Sequence, residues 1–283
     1  MKHIIITPIY NEEAFLSTFL ESIVNQSLLP YELILVDDNS SDNSRKIIEK
    51  YTLKYSWIKY IYHSSADGKS QGKKVINAFN YGLKFVSIDE VDFLSKIDAD
   101  LSFPSGYFEE VANSFANNEK LGITGGVIEE LQDGVWTKIP QASYHIRGAL
   151  KSYRKTCFEQ MEGLMPVLGW DGLDEMKALY YGWKTQIINI GIKHFRPASK
   201  DYDRVKLSRD LGVANYKNGA SPFLAIVRSV VKIKQKPYFR VGIAFIQGYL
   251  YAYKSRCSKN VDANLARFIN KFHMQRLKKL KRF

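Results

Sequence analysis

The first hundred residues switch repeatedly between two hydrophobic periods, and that switching restricts the fold more than any other feature of the chain. HIII (3–6), ELILV (32–36), IKYIY (58–62) and DFLSKI (92–97) are apolar runs of strand length. Between them apolar residues recur at helical spacing: Phe15, Leu16, Phe19, Leu20, Ile23 and Val24 in the first interval, Val75, Ile76, Phe79, Leu83 and Val86 in the third. Four strands separated by three helices predict a βαβαβαβ order, and hence a parallel sheet covered on both faces. Such sheets bind ligands beyond the carboxyl ends of their strands. Polar clusters follow these strands, TPIYNEE after the first, VDDNSSD at the second and DAD after the fourth. All three are expected on one rim.

Beyond residue 120 the pattern loosens. GITGGVIEE (122–130) and KTQIINI (184–190) read as strands, and GLDEMKALYYGW (172–183) reads as a helix with an acidic first turn. From Pro222 two apolar stretches follow, PFLAIVRSVVKI and PYFRVGIAFIQGYLYAY. The last segment places Leu265, Phe268, Ile269, Phe272, Leu277 and Leu280 on one helical face with lysines and arginines opposite. At 283 residues the chain holds one large domain with an appended region. No run approaches the roughly 18 uninterrupted apolar residues of a spanning helix. MKHIIITPIYNEE has no basic region before a long apolar run and does not read as a signal peptide. Two distant cysteines, Cys157 and Cys257, point to a reduced, cytoplasmic protein.

Charge is spread unevenly. The formal net charge is +12, and residues 254–283 carry ten Lys and Arg against Asp262 alone. The body is nearly balanced, which argues against a nucleic-acid-wrapping protein and for a tail that meets something anionic. A basic amphipathic helix behind aromatic segments too short to span fits peripheral attachment to the inner face of a cell membrane. The alternative is that residues 222–253 complete a core and the tail is solvated.

Asp98 and Asp100 end a buried strand, where two like charges repel unless a cation lies between them. Hard divalent cations take one or two carboxylates with phosphate oxygens and water. In VDDNSSD an acid could accept hydrogen bonds from a base N–H or a ribose hydroxyl; Ser40 or Asp42 could equally cap the next helix. Asn11 and the glutamates of TPIYNEE likewise suit a helix start. Lys69 and Lys73, in GKSQGKK, lie near the rim and could meet a phosphate or form a solvated helix start.

TPIYNEE, VDDNSSDNS, the DAD of SKIDADLSFP and GWDGLDEMKALYYGWKT, in that order over residues 3–196, resemble the family-2 inverting glycosyltransferases of the GT-A fold. The resemblance implies a Rossmann-like mixed sheet flanked by helices in a transferase domain at 1–200, with a helical, membrane-apposed region at 201–283. It implies a nucleotide-sugar donor, a UDP-sugar by preference, whose nucleoside pocket is lined by Thr7, Pro8, Tyr10 and Glu12. Asp38 would face the base with Asp37 close by. Asp98 and Asp100 would hold Mn²⁺ or Mg²⁺ against the donor diphosphate, with His194 as a further ligand. The family's Glu-Asp pair appears here as Trp170-Asp171. An ungapped match puts the catalytic base on Asp171, and a one-turn slip puts it on Asp174. The acceptor is expected to be a glycan or polyprenyl-linked saccharide in surface polysaccharide synthesis, with Arg147 a candidate for an acceptor phosphate. A haloacid-dehalogenase-type phosphatase would want its Asp-x-Asp after the first strand, and a sugar nucleotidyltransferase a glycine-rich basic loop there. A nucleic-acid binder would rest on the tail alone.

Overall fold

The structure, a computed structural model, describes residues 1–65, 72–196 and 203–280. Lys69 lies outside these. The chain divides into two compact units, one of Met1–Pro166 with Tyr181–Pro197 and one of Val167–Tyr180 with Ala198–Phe283.

The first unit is built on one sheet. In chain order it runs β1 (His3–Ile9), α1 (Leu16–Val24), β2 (Glu32–Asp38), α2 (Ser44–Lys54), β3 (Ile58–His63), α3 (Lys73–Gly82) and β4 (Phe93–Ile97). There follow β5 (Leu101–Ser102), α4 (Tyr107–Asn117), β6 (Leu121–Gln132), β7 (Val135–Lys138), β8 (Leu150–Arg154) and α5 (Lys155–Gln160). After α6 (Trp170–Tyr180), which belongs to the second unit, β9 (Lys184–His194) returns to the sheet. The sheet order is β3-β2-β1-β4-β8-β6-β9-β5, with β7 paired to β6. β3, β2, β1 and β4 are parallel, as the alternation requires. The rest of the sheet is mixed: β8 runs antiparallel to β4 and β6, β9 parallel to β6, and β5 antiparallel to β9.

β1 is apolar on both faces because both are covered. Ile5 and Ile9 join Phe19, Leu20, Ile23, Phe108 and Val111 in the main core. Toward α3, a Cβ on Gly82 would come within 2.7 Å of Val36 and 2.9 Å of Ile6, so the helix approaches this closely only because that position is glycine. His3 is buried in the main core, its ring stacked on Phe93 at 4.6 Å and near Phe108 at 5.2 Å. Burial drives its pKa down to about 3.

The second unit is helical: α6 with α7 (Arg204–Lys217), α8 (Pro222–Lys232), α9 (Arg240–Lys254) and α10 (Ala263–Leu280). α7 and α9 touch backbone to backbone through glycines. A Cβ on Gly212 would strike the carbonyl oxygen of Phe245, and one on Gly248 that of Arg209. Ala225, Phe245 and Tyr249 form a core cluster of this unit. α10 packs on α6 and α8 and buries Leu265 and Ile269, with Phe268, Phe272 and Leu277 partly covered. Through Leu277 the apolar stripe read from the sequence is therefore a packing face of the unit; the Leu280 side chain lies outside what is described. Among the described residues no helix is long and apolar enough to cross a membrane.

Candidate active site

Parallel pairing sets the ends of β1 and β2 side by side, with Ile9 opposite Asp37. The loops that follow then lace together. The backbone N–H groups of Asn11, Glu12 and Glu13 donate to Ser40 Oγ, Ser44 Oγ and Asp42 Oδ2, at 3.0, 2.8 and 3.0 Å. In return, those of Ser41 and Asn43 donate to Asn11 Oδ1 and Glu13 Oε2, at 2.8 and 2.9 Å. Asn11 and Asn39 take left-handed backbone conformations, φ 55° and 63°, which asparagine tolerates well. The N-cap residues of α1 and α2 make no side-chain hydrogen bond, and the two loops cap each other. Asp42 still accepts from the backbone of Ser44, the first residue of α2, at 2.9 Å.

Both second-strand aspartates are buried and satisfied. Asp37 accepts from Ser40 N–H at 2.9 Å and from the Tyr60 hydroxyl at 3.1 Å. Asp38 lies 2.8 Å from His63 Nδ1 and accepts from the N–H and hydroxyl of Ser65 at 2.9 and 2.8 Å. Thr7 is buried on β1 with its hydroxyl unpartnered; Pro8 is partly covered and Tyr10 is exposed. Lys73 opens α3 and is exposed. The Arg147 guanidinium donates to the carbonyl of Pro140 at 3.1 Å.

Beyond β4 the two aspartates meet different surroundings. Asp98 is partly exposed and ion-paired with the buried Lys96, which also donates to Gly148 O at 3.0 Å. Burial drives its carboxyl above the ordinary range, against the pull of Lys96 and with the help of Asp100. Asp100 is buried, held by the backbone bond from Phe195 N–H to its carbonyl at 3.0 Å. The β5–β9 pair puts Leu101 beside His194, and two register shifts in the β6–β9 pair put Glu130 on the other side of it. His194 accordingly sits between carboxylates, Nε2 at 3.4 Å from Asp100 Oδ2 and Nδ1 at 3.5 Å from Glu130 Oε1. Burial alone would lower its pKa; the hydrogen bond and charge of Asp100, then Asp98 and Glu130, outweigh burial and raise it. Glu12 joins the group. Arg196 grips it with two hydrogen bonds of 2.9 and 2.7 Å, yet burial and the charge of Asp100 push its pKa up to about 7.

These residues fit a hard divalent cation in part. Asp100 Oδ1 is buried without a hydrogen-bond partner, an uncompensated carboxylate oxygen among three further acids and a histidine. Among the described residues no three His, Cys, Asp or Glu side chains already converge in ligand geometry. Such a site would need oxygens from a substrate, as Mg²⁺ and Mn²⁺ sites commonly do. Oxygen with imidazole nitrogen is a donor set that manganese accepts.

Glu130, Arg196, His63 and Ser65 escaped the sequence reading because each is brought in at a strand end or just beyond one by the pairing of distant strands. The available signal was that His63 and His194 end strands beside known clusters. Asp171 and Asp174 lie on α6, in the second unit. Asp171 is partly exposed in the first turn; Asp174, one turn on, is buried and accepts from Glu175 N–H at 2.6 Å.

Comparison with known proteins identifies the fold and the family. The chain is 38% identical over 113 residues to the minor teichoic acid biosynthesis protein GgaB of Bacillus subtilis, covering 39% of this chain and 12% of that one. It is 40% identical over 70 residues to a poly(ribitol-phosphate) beta-glucosyltransferase of Bacillus spizizenii, covering 24% and 11%. The matches thus span a small part of those relatives. The mannosyltransferase PcManGT of Pyrobaculum calidifontis, solved with GDP-Man and Mn²⁺, superposes with a TM-score of 0.60 at 15% identity, over 98% of this chain and 80% of that one. S. aureus TarS 1–349, solved with UDP-GlcNAc, gives 0.57 at 17% identity, over 91% and 74%. The architecture is the GT-A fold. The model of glycosyl transferase family 2 matches residues 4–167, more than half of the sequence, and the chain belongs to that family.

Proposed function

We propose that the protein is a divalent-cation-dependent inverting glycosyltransferase. It would move a sugar from a nucleotide-sugar donor, a UDP-sugar by preference, to a glycan or polyprenyl-linked saccharide. The observation that carries this reading is the unpartnered buried oxygen of Asp100, set among Asp98, Glu12 and His194 at the carboxyl ends of the strands. Relatives named for teichoic acid synthesis support a surface-polymer acceptor. In this reading residues 1–200 form the transferase domain, and residues 201–283 a helical region at the inner face of the membrane.

Thr7, Pro8, Tyr10, Glu12, Asp37 and Asp38 form the nucleoside pocket, and Lys69 or Lys73 meets the diphosphate. Asp98, Asp100 and His194 would hold Mn²⁺ or Mg²⁺, which when bound supplies positive charge to the departing diphosphate. Asp171 is the base, being the more exposed of the two candidates. It takes the proton of the acceptor hydroxyl as that oxygen bonds to the anomeric carbon. The bond from that carbon to the diphosphate oxygen breaks on the opposite face, and the nucleoside diphosphate leaves with the electron pair. Arg196 holds the Glu12 carboxylate and limits the negative charge a diphosphate meets on entry.

The test is thermal unfolding with UDP, GDP, CDP and TDP, each with Mn²⁺, Mg²⁺ or chelator, on wild type and on Asp98→Ala/Asp100→Ala. A ligand that binds only the folded state adds about 2.7 kcal/mol at 100 times its Kd. One diphosphate should stabilise only with metal, and the double variant should lose that response. Silence from all four on the wild type would overturn the proposal.

A further inference from the structure

α8 carries apolar residues on its covered side and on its exposed side. Leu224 and Ala225 are buried, while Ile226, Val230 and Val231 on the same helix are 54–62% exposed. Aliphatic side chains left exposed beside a covered apolar face call for a second apolar environment. The exposed side continues through the α8–α9 link to Tyr238 and Phe239, 53% and 65% exposed, and to Ile243 at 50%. Phe239 takes φ 52°, a left-handed conformation that bulky residues avoid, at the point where its ring faces solvent. The hairpin is pinned from inside: Ser229 Oγ donates to Gly242 O at 2.9 Å, Phe239 N–H to Ile233 O at 3.1 Å, and Arg204 to Lys236 O at 3.3 Å. Interleaved with this apolar tip are Lys234, Lys236 and Arg240, all exposed.

The charge of the region selects the occupant. From Leu211 to the end of the chain there are sixteen Lys and Arg and one acid, Asp262. A second copy would bring the same charges and be repelled. A nucleic acid would satisfy the cations but leave the aliphatic side chains in water. An anionic bilayer surface takes both, cations at the headgroups and apolar side chains at the acyl boundary. Insertion stops at the interface, since helices of 11 and 15 residues reach about 16 and 22 Å against a hydrocarbon core of about 30 Å.

We infer that the α8–α9 hairpin tip is a monotopic membrane anchor for anionic lipid, carried by Val230, Val231, Tyr238, Phe239 and Ile243 with Lys234, Lys236 and Arg240 around them. This relocates attachment from the tail helix, whose apolar face is packed within the unit, to a preformed tip. It deepens the membrane placement proposed above. Its test uses neither nucleotide nor acceptor, so it can fail while donor binding succeeds, and the reverse.

The experiment is co-sedimentation of the full chain with phosphatidylcholine vesicles, with and without phosphatidylglycerol, at low and high salt. Wild type should pellet with the anionic vesicles at low salt only. Val231→Ser/Phe239→Ser should lower partition by about tenfold or more. Lys234→Gln and Lys236→Gln should each lower it by about fivefold. Both sets should unfold at the wild-type temperature, because the altered side chains are exposed. Wild-type failure to bind anionic vesicles, or undiminished binding by the serine variant, would overturn the inference. So would a dimer in solution that the serine variant dissolves.

Discussion

The two units handle their polar and apolar residues in opposite ways. The sheet unit scatters its exposed apolar side chains singly, as at Leu29, Leu53 and Val135, and buries charge at the strand ends, at Asp37, Asp38, Lys96, Asp100 and His194. The helical unit carries an excess of positive charge and leaves Phe223, Val231, Phe239 and Tyr251 in water. One unit leaves a buried charge without its counterpart; the other leaves both cations and apolar side chains at its surface. Function is to be sought in what each leaves unsatisfied: a carboxylate oxygen in the first, aliphatic and aromatic surface in the second. Buried charge costs stability unless paired, so an unpaired group in a well-packed unit points to a ligand.

Four substitutions sharpen or break this contrast, and the largest effect is expected at the acid site. Asp100→Ala should lower transferase turnover by about a thousandfold while circular dichroism stays unchanged; near-normal turnover would remove the charge argument for the sheet unit. Next is His3. Unfolded, it takes a proton below about 6.5; folded, only near 3, so the unfolded state binds more protons between these values. Its contribution to stability is full above pH 6.5 and declines as pH falls toward 3, by up to about 5 kcal/mol. His3→Leu should flatten that part of the stability profile measured by denaturant titration. A residual slope should remain from His273 in the helical unit, held down to about 4 by burial and then by Arg228 and Arg276.

Gly248→Val tests whether the helical unit has a core of its own. The side chain would meet the Arg209 backbone, forcing α7 from α9 at a cost of about 3 kcal/mol. A calorimetric scan should show the loss; wild-type stability would mean that the α7–α9 contact is soft. The smallest effect is expected for Asp203→Ala. Asp203 caps α7, accepting from Val205 and Lys206 N–H groups at 2.9 and 3.1 Å, and its loss should cost about 1 kcal/mol in urea unfolding.

The parallel half of the sheet was legible because β1, β2 and β4 are apolar on both faces and the helices between them keep a clean period. The antiparallel half was not. β8 reads LKSYR, and its Lys151 is fully buried opposite Lys96, a placement that hydropathy assigns to solvent. β5 is two residues long, and β7 is four mostly exposed ones. The strands 122–130 and 184–190 were visible as apolar runs, but not the register shifts that bring Glu130 to His194. The acidic clusters could be read as neighbours on a rim. That Asp98 would pair with Lys96 while Asp100 turned to His194 depends on pairings that local sequence does not encode.

The lacing of the β1 and β2 loops has a consequence for exchange between relatives. Backbone N–H groups of residues 11–13 are held by side chains of residues 40–44, and those of residues 41 and 43 by side chains of 11 and 13. Neither loop has a conformation of its own to carry elsewhere. A chimera that imports one of them from another transferase would leave several donors unmatched; one that imports both would transfer a self-satisfied pair. If these loops line the donor pocket as proposed, the heritable unit of donor preference is the pair of them, separated by some thirty positions in sequence.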